Sequence, residues 1–270
     1  MNYHQQLVNG HTVHYYQHGQ GQENVVLIHG WLNYNGLWHQ TMEELSSVGR
    51  CYALDLPGFG DSGEPQAAED YSMPGYARLV EAFCRQLELQ PVTLIGHSMG
   101  GMISLLVALK APDLVKRLIL ADAVVTGHLG PPLNLLDMFG KTLYSWGFGM
   151  TKQVAPIFKA SVGVFYYSDH NYEWETVRHK ALQHATTYQV GSLAAITQLD
   201  LTPQLEQIEI PTLVISGEHD RTVPVEQAEL LSRQLPQAQL ALIPEAAHVP
   251  MEEQPELFNR LVLSFIKQTD

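Results

Sequence analysis

Ser98 lies in the run Val92-Thr93-Leu94-Ile95-Gly96-His97-Ser98-Met99-Gly100-Gly101, with a glycine two residues before it and another two residues after. A serine hydroxyl is too weak an acid to attack unaided; it needs a base to take its proton and an acid to orient that base. Both types follow in the chain, Asp220 in Gly217-Glu218-His219-Asp220 and His248 in Ala246-Ala247-His248-Val249-Pro250. The chemistry open to this set is nucleophilic catalysis, with Ser98 attacking and His248 moving the proton. The other histidines read differently. His11, His14 and His18 fall across an expected hairpin with no acidic ligand at a telling spacing, so neither a metal nor a cofactor is expected. His29 and His97 flank the site chiefly as hydrogen-bonding residues that hold loops.

The elements around these residues are set by hydrophobic periodicity. Val92 to Ile95 is a short apolar run, and Met102, Ile103, Leu105, Leu106 and Leu109 repeat at helical spacing. Strand, sharp turn and helix place Ser98 at the apex. So tight a turn forces its central residue into a sparsely populated backbone conformation and presses the flanking positions against backbone, a demand that Gly96 and Gly100 meet. Further strands are expected at Val25 to Ile28, Cys51 to Leu54, Leu118 to Ala121, Pro211 to Ser216 and Gln239 to Ile243. Helices are expected at Gly36 to Leu45, Tyr76 to Leu89, Val225 to Leu235 and Pro255 to Ile266, and Leu7 to Gln17 reads as a hairpin turning at Gly10. From about Val124 to Leu205 the alternation lapses into aromatic-rich helical sequence, the pattern of an inserted cap. The class is therefore α/β, a mostly parallel central sheet covered by helices on both faces, with core 1–123 and 206–270 and a helical cap at 124–205. Chemistry belongs at the carboxyl ends of the strands, where Ser98, His29, Asp55, Asp122 and Asp220 fall.

At 270 residues and 45% hydrophobic, the chain can bury one sizeable core. Its net charge of −13 carries no basic block, which disfavours nucleic acid and anionic membrane as partners. The beginning MNYHQQLVNG has no charged segment followed by an apolar one, so a cytoplasmic protein without membrane attachment is expected, as a monomer or homodimer. Cys51 and Cys84 sit in apolar surroundings and are expected as buried thiols.

Taken together, His29-Gly30-Trp31, Asp55-Leu56-Pro57-Gly58-Phe59-Gly60, Gly96-His97-Ser98-Met99-Gly100, the Asp220 segment and His248-Val249-Pro250 resemble the α/β-hydrolase superfamily, in its cap-bearing serine hydrolase branch of esterases and C–C bond hydrolases. The resemblance covers nearly all of the chain outside the cap. It implies Ser98 as nucleophile, His248 as general base and acid, Asp220 as the residue that orients it, and the backbone N–H groups of Trp31 and Met99 as the oxyanion hole. It also implies a pocket bordered by Trp31, His29, His97 and Val249, with Asp122 as the alternative acid, since some relatives keep theirs after that strand. Epoxide hydrolases and haloalkane dehalogenases carry aspartate where this chain has Ser98, and epoxide hydrolases usually follow His-Gly with proline, which is absent here. The expected activity is hydrolysis of a small or medium carboxylic ester through an acyl-enzyme on Ser98. The alternatives are a C–C hydrolase, thioesterase, lactonase or biosynthetic lyase using the same residues, and a ligand-sensing receptor on the same scaffold. Arg178 and Lys152 are the candidate charges for recognising an acidic substrate.

Overall fold

A computed structural model describes residues 1–168 and 173–268, without the side chains of 136–139. One eight-stranded sheet organises the chain. In sequence order its strands are β1 (Asn2–Val8), β2 (His11–His18), β3 (Glu23–Ile28), β4 (Gly49–Leu54), β5 (Val92–His97), β6 (Val115–Ala121), β7 (Thr212–Gly217) and β8 (Ala238–Ile243). In space the order is β1-β2-β4-β3-β5-β6-β7-β8, and only the pairings of β2 with β1 and β4 are antiparallel. The first hairpin pairs Val8 with His11, leaving a two-residue turn in which Asn9 and Gly10 both have positive φ.

Helices α1 (His39–Leu45), α2 (Met73–Gln86), α3 (Met99–Lys110), α8 (Val225–Gln234) and α10 (Pro255–Gln268) cover the sheet, and α9 (Pro250–Glu253) is a single turn before the last of them. Alternation along each strand divides the core in two. Val26, Ile28, Leu94, Leu118 and Leu120 pack with α2 and α3, whereas Val25, Leu27, Ile95, Ile119 and Ile215 pack with α1 and α10. The hydrophobic strands are thus buried on both faces, as a parallel sheet requires. No helix of the described residues is long and apolar enough to cross a membrane.

Four helices, α4 (Leu135–Gln153), α5 (Ala155–Gly163), α6 (Trp174–Gln183) and α7 (Thr186–Thr197), intervene between β6 and β7. Gly140, at φ 71 and ψ 160, breaks α4 near its start. Phe158, Val162, Val177 and Ala181 of α5 and α6 form a satellite cluster with Leu32, while Val190, Leu193 and Ile196 of α7 join the main core beside α2 and α3. The inserted helices are consequently anchored through α7. Elsewhere the elements lie close to the sequence expectation. The helix expected at 36–45 divides into a turn at Asn35–Trp38 and α1, and α2 begins at Met73, before Tyr76, because Ser72 caps it by accepting from the Gly75 N–H. Cys51 and Cys84 are buried free thiols, both pushed up to about 12 by burial.

Candidate active site

The strands β3, β5, β6 and β7 lie side by side, and their carboxyl ends deliver Trp31, Ser98, Asp122 and Asp220 to one place; His248 arrives on the loop after β8. Ser98 joins β5 to α3 at φ 53 and ψ −114, a conformation that L-residues rarely adopt. Its surroundings explain why the turn persists. A Cβ at Gly96 would stand 2.3 Å from the carbonyl oxygen of Gly100, and one at Gly100 would stand 2.2 Å from that of Ile28. The two glycines let β5, α3 and β3 close on one another, and the Ser98 N–H donates to the Ala121 carbonyl at 2.9 Å.

Ser98 Oγ lies 3.0 Å from His248 Nε2, and His248 Nδ1 lies 2.8 Å from Asp220 Oδ2. With Asp220 ionised, Nδ1 carries the proton and donates it, leaving Nε2 as the acceptor for the serine hydroxyl. The other oxygen of Asp220 accepts from the Thr222 and Val223 N–H groups at 2.8 and 3.1 Å, so the carboxyl is fixed by its own loop. Asp122 is placed behind it. The Asp122 Oδ1 accepts from Ser216 Oγ and the Gly217 N–H, both at 3.0 Å. Its Oδ2 meets no donor, and one carboxyl oxygen each of Asp122 and Asp220 and one ring nitrogen of His248 all lie within 4.8 Å of one another. Burial, then the charge of Asp220 and a hydrogen bond with it, hold the Asp122 carboxyl well above the usual carboxylate range. Of the two carboxyls, Asp122 is the one whose proton is held more tightly than usual, and Asp220 is the one that meets the imidazole.

Met99 is the first residue of α3, directly after Ser98, so its N–H is among those a helix cannot satisfy internally. The Gly30-Trp31 loop abuts Ser98, since a Cβ at Gly30 would stand 3.1 Å from that of the serine. The Trp31 indole donates to the Gln189 carbonyl at 2.6 Å and packs on Phe148. His97 borders the hollow over Ser98, and its Nε2 donates to the His248 carbonyl at 2.6 Å. It is kept neutral, well below the usual imidazole range, by burial and by its neighbour His248. His29, expected at the pocket, is wholly buried and does not border that hollow; it donates from Nδ1 to Gly30 and accepts the Leu56 N–H at Nε2. Val249 borders the hollow as well.

The inserted segment reaches His248 through a backbone group that leaves no mark in the sequence. The His248 N–H donates to the Phe165 carbonyl at 2.9 Å, and a backbone acceptor has no side-chain signature. Lys152 is 3% exposed and gives its three N–H groups to Ala181 O, His184 O and Gln189 Oε1 at 2.8 to 3.1 Å. Burial pushes its ammonium down to about 8. Arg178 donates to the carbonyls of Lys152 and Gln153. Both cations therefore tie the helices together, and neither borders the space around Ser98. His11 and His18 face Asp70 and Glu43 at 3.4 Å.

A strained serine between a buried strand and a helix, with its partners on the later strand ends of a mostly parallel sheet, defines an α/β-hydrolase. The chain belongs to that family: residues 23–255 match the alpha/beta hydrolase fold. Over 271 residues it is 29% identical to the pimeloyl-(acyl-carrier protein) methyl ester esterase of Yersinia enterocolitica, spanning 93% of this chain and 96% of that one. It is 30% identical over 286 residues to the uncharacterized hydrolase YugF of Bacillus subtilis, spanning 94% of each. Among solved structures, an esterase from Exiguobacterium antarcticum superposes with a TM-score of 0.85 at 25% identity, over 98% of this chain and 99% of that one.

Proposed function

We propose that this α/β-hydrolase, a carboxylic ester hydrolase, works through an acyl-enzyme on Ser98, with His248 as base and acid and Asp220 as its orienting carboxylate. The observation that supports the reading most is the continuous hydrogen-bonded path from Ser98 Oγ through His248 to Asp220 at a backbone-strained turn. His248 Nε2 takes the hydroxyl proton as Ser98 Oγ bonds to the ester carbon. The carbonyl oxygen becomes an anion held by the Met99 and Trp31 N–H groups, each such donor being worth about 2.7 to 4 kcal/mol in the transition state. His248 then returns the proton to the alcohol oxygen as the carbon–oxygen bond breaks. Water, deprotonated by the same nitrogen, attacks the acyl-enzyme; the carboxylic acid leaves and Ser98 regains its hydrogen.

Residues 124–205 serve as the cap over a core formed by 1–123 and 206–270, and the substrate is a small-molecule ester. The named activity of the Yersinia relative, hydrolysis of a methyl ester, belongs to the same reaction class. Initial rates on methyl and p-nitrophenyl esters, beside Ser98→Ala, test the reading. Turnover should disappear in a variant that keeps the wild-type melting temperature; turnover that survives there would refute it.

A further inference from the structure

The space beside Ser98 has two unlike sides. A hollow of about 40 Å³ over the serine is bordered by His97, Ser98, His248 and Val249. A larger pocket of about 390 Å³ continues from it, and Trp31, Leu32, Leu133, Val162 and Phe165 border both. None of His97, Ser98 and His248 borders the larger pocket, and among the described residues no charged side chain does. Its outer wall is α4, where Leu143 and Trp146 stand more than half exposed, so the pocket opens to the surface between helix and solvent.

The chemistry assigns the sides. A leaving alcohol must receive its proton from His248 Nε2, so it departs on the imidazole side of the carbonyl carbon. The acyl group of the same carbon then points the other way, past Trp31 and Leu32. We propose that the larger pocket binds the acyl part of the ester, an uncharged hydrocarbon chain, and that Gly147 determines how long that chain can be. This assignment rests on the acyl-enzyme reading of Ser98.

Gly147 lies within α4, where glycine is about 1 kcal/mol less favourable than alanine. Neither conformation nor crowding calls for it. Its φ is not in the left-handed region, and a Cβ built there meets nothing within 4 Å. What the missing side chain leaves open is the pocket that Gly147 borders, flanked by Phe148 and Thr151 on the same helix. Any larger residue at 147 would occupy the space reserved for the far end of the chain, and the small hollow on the other side leaves room for a small alcohol.

The test compares kcat/KM for methyl esters from acetate to dodecanoate, and for acetates of alcohols from methanol to octanol, in wild type, Gly147→Ala and Gly147→Leu. Gly147→Leu should lower the dodecanoate-to-acetate ratio at least about tenfold, on the scale by which a single methylene misfit discriminates substrates, and Gly147→Ala about threefold. The octyl-to-methyl ratio in the alcohol series should not move. An acyl ratio unchanged in both variants overturns the proposal, as does a shift confined to the alcohol series. If Gly147→Leu does not fold, Gly147→Ala, which adds one methyl group to a helix that favours it, decides by the same ratios. Failure of the Ser98 reading would show separately, as hydrolysis surviving Ser98→Ala at every chain length.

Discussion

The paired carboxyls behind His248 can be separated by two isosteric substitutions. In Asp220→Asn the amide oxygen keeps the place of Oδ1 and still accepts from the Thr222 and Val223 N–H groups, so the loop is preserved. The amide nitrogen takes the place of Oδ2, 2.8 Å from His248 Nδ1, where it can only donate. Nδ1 then becomes the acceptor and the ring proton moves to Nε2, which can no longer receive the proton of Ser98. Reversing this tautomer in a serine triad lowers kcat by about 10⁴-fold, or about 5.5 kcal/mol of transition-state stabilisation. Asp122→Asn has the opposite expectation. Its oxygen still accepts from Ser216 and Gly217, and its NH2 can donate toward Asp220, so kcat should stay within about threefold. Steady-state kinetics on a short ester at neutral pH, with thermal melts to exclude unfolding, provide both numbers. An Asp220→Asn enzyme retaining more than about a tenth of wild-type kcat, or an Asp122→Asn enzyme falling as far as Asp220→Asn, would refute the assignment and give the orienting role to Asp122.

Three further outcomes are expected. Lys152→Met removes the donor of three buried oxygens and should destabilise the fold by about 3 kcal/mol, read as a lower urea midpoint with unchanged slope. His97→Ala leaves the His248 carbonyl unpaired and opens a cavity beside it; kcat should fall with little change in KM, and stability should drop by about 3 kcal/mol in the same unfolding experiment. Asp55, buried and accepting the Asn35 and Asp61 N–H groups, is pushed up to about 7 by burial. The folded protein then holds a proton that the unfolded chain releases near pH 4, so the Asp55 contribution is lost as pH rises from about 4 to about 7, by at most about 4 kcal/mol. Unfolding free energies over that range should fall in wild type relative to Asp55→Asn, and parallel curves would contradict the shift.

What could be read from the chain was whatever rests on local rules. The turn at Ser98 was legible because two glycines, an apolar run and a helical repeat all bear on the same few residues. Asp220 and His248 were legible because each follows a strand at its carboxyl end. The preference for Asp220 over Asp122 rests on the resemblance, since both end neighbouring strands; in the structure it is Asp220 Oδ2 that lies 2.8 Å from the imidazole. The inserted helices were legible as a type but not as an arrangement. Their glycines break the period, as at Gly140, and their contributions to the site are carbonyls of Phe165 and Gln189, which any residue could supply. Lys152 and Arg178, as charges in an aromatic segment, looked suited to an acidic ligand; the acceptors that occupy them are helix ends brought near only by folding.

The hydrogen bonds from the His248 amide to Phe165 and from the Trp31 indole to Gln189 have a mechanical meaning. The inserted segment holds the loop of His248 through one of these bonds and the loop of Trp31 through the other. Any displacement of that segment against the sheet is therefore felt at His248 and at the Gly30-Trp31 loop together.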